Sequence, residues 1–146
     1  MIRTLTENDR NIWLELTGEF YSSDAVDHSI PEKFRDATFS ELMRGSPYAE
    51  GIILECDGET AGYALFAVTF SQEAGGKTVW IEEAYVREAY RSRGLGKEVF
   101  SWAEKRWQDA VRFRLEVEDD NTRAIKLYSS LGYKNLPYSQ MIKDKV

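Results

Sequence analysis

The chain has 146 residues, of which 42% are hydrophobic, 13% aromatic and 30% charged, a balance typical of one globular domain and unlike that of disordered segments. Its formal net charge of −6 disfavours binding to nucleic acid or to anionic lipid, because both carry negative charge. An acidic surface would instead concentrate a cationic small molecule around a cleft lined by carboxylates.

Cysteine usage and apolar runs bear on the compartment. The single cysteine, Cys56, excludes an intrachain disulfide and favours a reducing cytoplasm. We expect Cys56 to be a small buried residue at a strand end, because no base adjoins it to make it a nucleophile. No apolar run approaches the roughly 18 residues that a membrane span needs, and the N-terminus lacks a signal-peptide core. We therefore expect a cytoplasmic protein with no membrane contact.

The first third of the chain predicts one short strand and two helices. A strand at residues 2–5 leads to Thr6 and Asp9, which resemble a capping box and start the first helix. Its inward positions are Ile12, Trp13, Leu16 and Phe20. After a polar loop at residues 21–30, Pro31 starts the second helix, which should end near Gly45. Its apolar positions are Phe34, Phe39, Leu42 and Met43.

The remaining elements alternate strands with helices. Asp57-Gly58 predicts a tight antiparallel hairpin between strands at 51–56 and 60–70. The other predicted elements are a strand at 78–86, a helix at 95–109, a strand at 112–117, a helix at 122–131 stopped by Gly132, and a strand at 133–141. The chain shows no repeat or linker, so we predict a single α/β domain over residues 1–146.

The turn between the strand at 78–86 and the next helix has the chemistry of a phosphate site. Gly94 and Gly96 let backbone N–H groups approach an anion at the electropositive start of a helix. Positive side chains surround them in an otherwise acidic protein: Arg91, Arg93 and Lys97. The glycine spacing excludes a P-loop, and Val99 stands where a dinucleotide fingerprint has glycine or alanine. Taken alone, the two glycines fit an ordinary helix entry equally well.

Three segments together resemble the GNAT superfamily of N-acetyltransferases. Arg91-Ser92-Arg93-Gly94-Leu95-Gly96 matches the family's R/Q-x-x-G-x-G/A signature. Residues 80–86 resemble its fourth strand, and residues 121–133 resemble its N-x-x-A-x-x-x-Y-x-x-x-G-[FY] helix. The resemblance implies an α/β GNAT fold with a mixed central sheet of about six to seven strands. It also implies splayed fourth and fifth strands and four flanking helices.

The resemblance implies acetyl-CoA as the donor. Its pyrophosphate would rest on the turn formed by Arg91, Ser92, Arg93, Gly94, Leu95, Gly96 and Lys97. A bulge in the fourth strand would free backbone groups of Ala84, Tyr85 and Val86 to meet the pantetheine arm and the acyl carbonyl. Further contacts to the cofactor would come from Asn121, Ala124 and Tyr128. Two residues depart from the usual pattern: Ala84 replaces a larger apolar residue, and Ser92 replaces a frequent glycine.

Catalysis needs an acid and a base. Tyr128 matches the family tyrosine that protonates the departing thiolate. A protonated amine cannot attack a thioester, so a base is required, and Glu82 and Glu83 are the candidates. Alternation in a regular strand puts Glu82 with Ala84 and Glu83 with Ile81, on opposite faces. By similarity to polyamine acetyltransferases, we expect Glu82 to act through water and Glu83 to help hold the cation.

The acceptor is the least constrained part of the prediction. The loop at 21–30 lies where relatives frame the acceptor, which makes Tyr21, Asp24 and His28 candidates for substrate binding. A lone histidine gives no metal site, so we expect none. The pattern favours direct transfer to a small cationic primary amine in a ternary complex. The alternatives are a protein N-terminus or lysine as acceptor, and a non-enzymatic acyl-CoA-binding module; a homodimer is compatible with each.

Overall fold

The computed structural model describes residues 1–145. The helices are α1 (Arg10–Tyr21), α2 (Glu32–Met43), α3 (Leu95–Arg106) and α4 (Thr122–Ser130), and the strands are β1 (Ile2–Thr4), β2 (Ala49–Cys56), β3 (Glu59–Ser71), β4 (Gly76–Val86) and β5 (Arg112–Leu115). Short 3₁₀ turns at Glu7–Asp9 and Glu88–Tyr90 precede α1 and α3. Within residues 1–145, no helix is both long and apolar enough to cross a membrane.

The strands form one mixed sheet in the order β1-β2-β3-β4-β5. The first three pairings are antiparallel, and β4 pairs with β5 in parallel. The described sheet thus has five strands rather than the six to seven that the resemblance implied. The predicted strand at 133–141 is wrong, since these residues adopt no strand. Pro137 in this segment has no N–H to donate to a ladder, which disfavours a paired strand there.

Helices α1 and α2 cover one face of the sheet. The buried residues of this layer are Trp13, Leu16, Phe20, Phe39, Ile53 and Tyr63. They confirm the predicted inward face of α1, although Ile12 is only half-buried. Phe34 of α2 was expected inward, yet it lies 49% exposed, because a spacing of five residues places it about 140° around the helix from the buried Phe39.

Helix α3 covers the opposite face. Phe66 of β3 packs against Trp102 at 5.5 Å and Trp107 at 5.1 Å between ring centroids. Since Tyr63 and Phe66 have opposite parity along one strand, their side chains lie on opposite faces. Burying large aromatic side chains of this kind contributes roughly 1.5–3 kcal/mol each.

Two local predictions from the sequence are confirmed in detail. Asp57 and Gly58 have φ of 53° and 78°, the pair of left-handed residues that a tight hairpin turn needs. Asp9 accepts a hydrogen bond from the backbone N–H of Thr6 at 2.7 Å, as part of the capping box, and a separate one from Arg3 at 2.8 Å. The bond from Arg3 is the main reason that the pKa of Asp9 falls to about 2.

The chain divides into two compact units, one at Met1–Leu115 and one from Glu116 onward. The first contains the sheet with α1, α2 and α3, and the second contains α4. The single domain over residues 1–146 stays a prediction.

Candidate active site

The ladder between β4 and β5 covers only part of β4, because β5 ends at Leu115. Their ladder begins at Thr78–Arg112 and ends at Ile81–Leu115, whereas β4 continues to Val86. Ala84, Tyr85 and Val86, the residues expected to meet the acyl group, therefore lie beyond the end of this ladder. Gly62 of β3 allows the close approach on the other side, since a Cβ there would lie 2.0 Å from the carbonyl oxygen of Tyr85.

A β-bulge lies at the same point. Phe66 of β3 pairs with Ile81 and Leu65 pairs with Glu83, so Glu82 is the extra residue of β4. The expectation that Glu83 shares a face with Ile81 is therefore wrong. Ile81 lies opposite Phe66 on the α3 face, whereas Glu83 points to the α1 face, because one extra residue reverses the alternation.

Two tyrosine hydroxyls hold the Glu83 carboxylate. Tyr63 donates to Oε1 at 2.7 Å, and Tyr21, the last residue of α1, donates to Oε2. Burial is the main cause that raises the pKa of both phenols, and the negative charge of Glu83 adds to it. Both tyrosines therefore stay protonated at neutral pH and act as donors.

The half-buried Glu83 carboxylate has no cationic partner within the described part of the chain. No Lys, Arg or His nitrogen among residues 1–145 lies within 4.0 Å of it, whereas the neighbouring Arg87 is bound to Glu15 and Glu19. A partly desolvated carboxylate of this kind favours a cation from outside the chain. Glu82, by contrast, is exposed.

The loop after α1 contributes unequally. Tyr21 is brought to Glu83, as described above. Asp24 and His28 are exposed, and His28 Nδ1 lies 2.5 Å from Asp27 Oδ1, which lowers the pKa of that carboxyl. Of the three predicted acceptor residues in this loop, only Tyr21 contacts the Glu83 carboxylate in the described part of the chain.

The turn before α3 has the geometry of an anion site. Ser92 and Gly94 are left-handed, with φ of 64° and 82°. Gly94 is the N-cap of α3, and no side chain among the described residues caps the first N–H groups of that helix. Apart from its chain neighbours and the adjacent backbone of its own helix, a Cβ at Gly96 would meet no heavy atom of residues 1–145 within 4 Å. Packing therefore does not require glycine at position 96, whereas close approach of a ligand to the backbone would.

Positive charge borders this turn. Arg91 Nε donates to the carbonyl oxygen of Val86 at 2.9 Å, which fixes the turn to the end of β4. Arg93 lies 3.4 Å from Asp57 and 3.5 Å from the sulfur of Cys56. Cys56 is only half-buried, so the expectation of a buried cysteine is wrong: it ends β2 at the exposed hairpin, beside this arginine. Lys97 is exposed in the first turn of α3.

The second unit contains the candidate acid. Asn121 caps α4 by accepting a hydrogen bond from the N–H of Ala124 at 3.2 Å. Tyr128 lies on α4, and burial raises the pKa of its hydroxyl. Its ring centroid is 6.2 Å from that of Tyr133, which follows the left-handed Gly132.

Comparison with known proteins decides the family. The model of the Acetyltransferase (GNAT) family matches residues 11–133. The chain belongs to this family. As a GNAT enzyme it is an acetyl-CoA-dependent N-acetyltransferase that acts on amines, and this membership removes the support for a non-enzymatic module.

Individual relatives agree with this family. The chain is 30% identical over 140 residues to an uncharacterised N-acetyltransferase in the pepI 3′ region of Lactobacillus delbrueckii subsp. lactis, covering 88% of this chain and 80% of that one. It is 30% identical to a putative [ribosomal protein bS18]-alanine N-acetyltransferase of Bacillus subtilis, covering 84% and 78% of the two chains. It is also 28% identical to thialysine N-epsilon-acetyltransferase of Bos taurus, covering 93% and 85%.

Solved structures share the fold. That of AAC(6′)-Iy, in complex with a bisubstrate analogue of CoA, superimposes with a TM-score of 0.81 at 18% identity and covers 100% of this chain and 98% of that one. The turn before α3 fits a diphosphate, because uncapped N–H groups, the open space at Gly96 and two neighbouring arginines supply donors and positive charge, although one of these arginines, Arg93, also pairs with Asp57.

Sequence reasoning missed two groups of residues in this enzyme. Tyr63 stands in an apolar stretch of β3, and no sequence signal links it to Glu83. Arg87 follows β4 directly and binds Glu19 through Nη2 at 2.9 Å and Nε at 3.1 Å, which ties the end of β4 to α1. A basic residue directly after the fourth strand, with acidic residues four apart on α1, was the available signal for this second contact.

Proposed function

We propose that this enzyme transfers the acetyl group of acetyl-CoA to the primary amino group of a small cationic amine by direct attack in a ternary complex. The observation that carries the proposal is Glu83: a half-buried carboxylate, held by two tyrosine hydroxyls, with no cation within 4.0 Å among residues 1–145. An incoming ammonium group supplies the missing charge. The net charge of −6 supports the same preference at longer range.

Glu82 is the proposed general base. It is the exposed bulge residue of β4, directly before the carboxylate that we assign to the ammonium. An exposed carboxylate is accessible to water, so it accepts a proton from the ammonium through a bridging water molecule. This division leaves Glu83 to hold the cation and Glu82 to deprotonate it.

Acetyl-CoA, when bound, supplies an acetyl group that is activated as a thioester. The uncapped N–H groups of Leu95, Gly96 and Lys97, together with Arg91 and Arg93, would hold its pyrophosphate. The backbone of β4 beyond Ile81 would bind its pantetheine arm and polarise the acyl carbonyl oxygen. Asn121 and Ala124 at the start of α4 would complete the contacts to the arm.

Tyr128 is the proposed general acid. Because burial raises its pKa, its hydroxyl remains protonated at neutral pH and can donate its proton to the thiolate sulfur of CoA. This step requires nothing else from the side chain, so the ring of phenylalanine would retain the packing and lose the chemistry.

An amine panel with acetyl-CoA, read by release of free thiol, tests the proposal. We expect turnover with diaminoalkanes. Glu82→Gln should lower kcat, Glu83→Gln should raise the KM for the amine, and exposed Glu104→Gln on α3 serves as a charge-matched control. Equal effects of the two active-site variants on kcat and KM would contradict the division of roles.

A protein N-terminus is the second candidate acceptor. The observation in its favour is the similarity to the putative bS18-alanine N-acetyltransferase of Bacillus subtilis. Including a peptide that begins with alanine in the same panel separates the two candidates. A kcat/KM for this peptide above that for every diaminoalkane would overturn the small-amine proposal.

A further inference from the structure

The two tyrosines that hold Glu83 differ in their burial. Tyr63 is fully buried, and its ring packs against Trp13 at 5.0 Å and Phe20 at 6.1 Å. Tyr21 is half-buried and is the last residue of α1, directly before the loop that begins at Ser22. The first hydroxyl is therefore fixed within the core, whereas Tyr21 packs at the edge of that core, beside Phe20 at the end of α1.

The two tyrosines and an incoming ammonium group together have more donors than the Glu83 carboxylate has acceptor positions. An ionised carboxylate has about four acceptor positions, and an ammonium group has three donors that need them. Tyr63 occupies Oε1 from within the core, while Tyr21 occupies Oε2 from the side of the acceptor loop. An ammonium arriving from that side meets Oε2 first and competes with the Tyr21 hydroxyl for it.

The surroundings of Glu83 favour an alkylammonium over a polyhydroxylated amine. The two tyrosines that contact it belong to an aromatic cluster: Phe20 packs against Tyr21 at 5.1 Å and against Tyr63 at 6.1 Å between centroids. Ring faces attract a cation and accommodate methylene groups, but they offer few partners to several hydroxyls.

We propose that Tyr63 is a positioning residue that fixes the Glu83 carboxylate, and that the alkylammonium of the acceptor displaces the Tyr21 hydroxyl from Oε2. This inference rests on the proposed function and deepens it. Tyr63 acts only through Glu83 and does not touch the acceptor. Tyr21 has the opposite role, since its hydrogen bond must break for the acceptor to bind.

Steady-state kinetics with 1,5-diaminopentane and acetyl-CoA test the inference. Tyr63→Phe removes one hydroxyl and keeps the ring, so we expect the KM for the amine to rise about tenfold, while the KM for acetyl-CoA stays within about twofold. Tyr21→Phe removes the competitor, so the KM for the amine should fall roughly threefold. Tyr48→Phe, at an exposed tyrosine before β2, is the matched control.

A double-mutant cycle separates positioning from general stabilisation. If Tyr63 acts through Glu83, Tyr63→Phe should raise the KM no further in the Glu83→Gln background. Additive effects, an unchanged KM in Tyr63→Phe, or a KM for acetyl-CoA that rises as much as that for the amine would each overturn the inference. If Tyr63→Phe does not fold, Tyr21→Phe decides: a raised or unchanged KM for the amine refutes the displacement.

A binding assay tests the inference even if the proposed function is wrong. If wild-type enzyme turns over no amine, calorimetric titration of CoA-loaded enzyme with 1,5-diaminopentane replaces the kinetic assay. Binding that Tyr63→Phe weakens about tenfold supports the inference without the activity. Binding that is unaffected by this substitution, or no binding to wild-type enzyme, overturns it.

Discussion

Replacing Gly96 by alanine should stabilise the enzyme and weaken its binding of CoA. Gly96 is the second residue of α3, and, apart from its chain neighbours and the adjacent backbone of its own helix, a Cβ there would meet no heavy atom of the described chain within 4 Å. Alanine exceeds glycine in helix stability by roughly 0.5–1 kcal/mol in a helix interior, so about 0.5 kcal/mol is reasonable in a first turn. This corresponds to a rise in Tm of about 1–2 °C for a domain of this size.

The same methyl group would occupy the space through which a phosphate oxygen approaches the backbone. Losing one hydrogen bond to a charged group costs about 1.5–3 kcal/mol, so we expect the Kd for CoA to rise about 10- to 150-fold. Calorimetric titration with CoA and thermal unfolding of the free protein measure the two effects. They should have opposite signs, which separates a binding role from a structural one.

Two further glycines provide the controls. Gly94 has φ of +82°, so Gly94→Ala should cost about 1–2 kcal/mol of stability and also weaken CoA binding. Gly45, after α2, has φ of +76° and open space around it, so Gly45→Ala should lower the Tm by about as much as Gly94→Ala and leave CoA binding unchanged. CoA binding by Gly96→Ala that equals wild type would refute the assignment of this turn to the pyrophosphate.

Three further predictions concern other parts of the enzyme. Tyr128→Phe should lower kcat about 10²-fold without changing the Kd for acetyl-CoA, and an unchanged kcat in the variant would exclude Tyr128 as the acid. Because burial raises the pKa of Tyr128 from 10.0, the wild-type kcat should show no loss from ionisation of this hydroxyl below pH 10. Asp9→Asn should cost about 2 kcal/mol of unfolding free energy at neutral pH, since the pKa of Asp9 in the folded state is depressed from 3.8 to about 2. In urea titrations this deficit should persist above pH 3.8 and disappear as the pH falls through about 2. A deficit independent of pH would contradict the pairing with Arg3. Gly62→Ala should cost about 1–3 kcal/mol of unfolding free energy and raise the KM for acetyl-CoA, because the added Cβ would push β4 away at Tyr85. A Tm equal to wild type would show that β3 and β4 move apart at this point without cost.

The sequence predicts those parts of the fold that depend on local chemistry. Asp57-Gly58 specifies its hairpin because a tight turn needs two left-handed residues, and few other pairs adopt them readily. The turn at Gly94 is likewise predictable, since a strand, two glycines and a helix leave little choice of backbone path. Ser92 also adopts a left-handed conformation, at a position where relatives often have glycine, so the turn imposes this conformation even on a residue with a side chain.

Glu83 and Tyr21 were both predicted as acceptor residues, but the contact of Tyr63 with Glu83 could not be predicted, because it depends on register between strands. Nothing in the apolar run of β3 marks Tyr63 as a partner of Glu83, and the contact follows only from pairing Leu65 with Glu83. The period-2 pattern also assigned Glu83 to the wrong face. A bulge adds one residue without changing the local composition, so alternation counted through Glu82 fails beyond it.

That failure occurs at the bulge of β4, beside the proposed site. One extra residue at Glu82 turns Glu83 toward the tyrosines of the α1 face, and the ladder to β5 ends at the residue before it, Ile81. A regular β4 would place Glu83 on the α3 face with Ile81, away from Tyr21 and Tyr63. The carboxylate that we propose to hold the acceptor and the backbone that we propose to meet the donor therefore lie at one irregularity, which explains why rules for regular strands predict the sheet but fail at the proposed site.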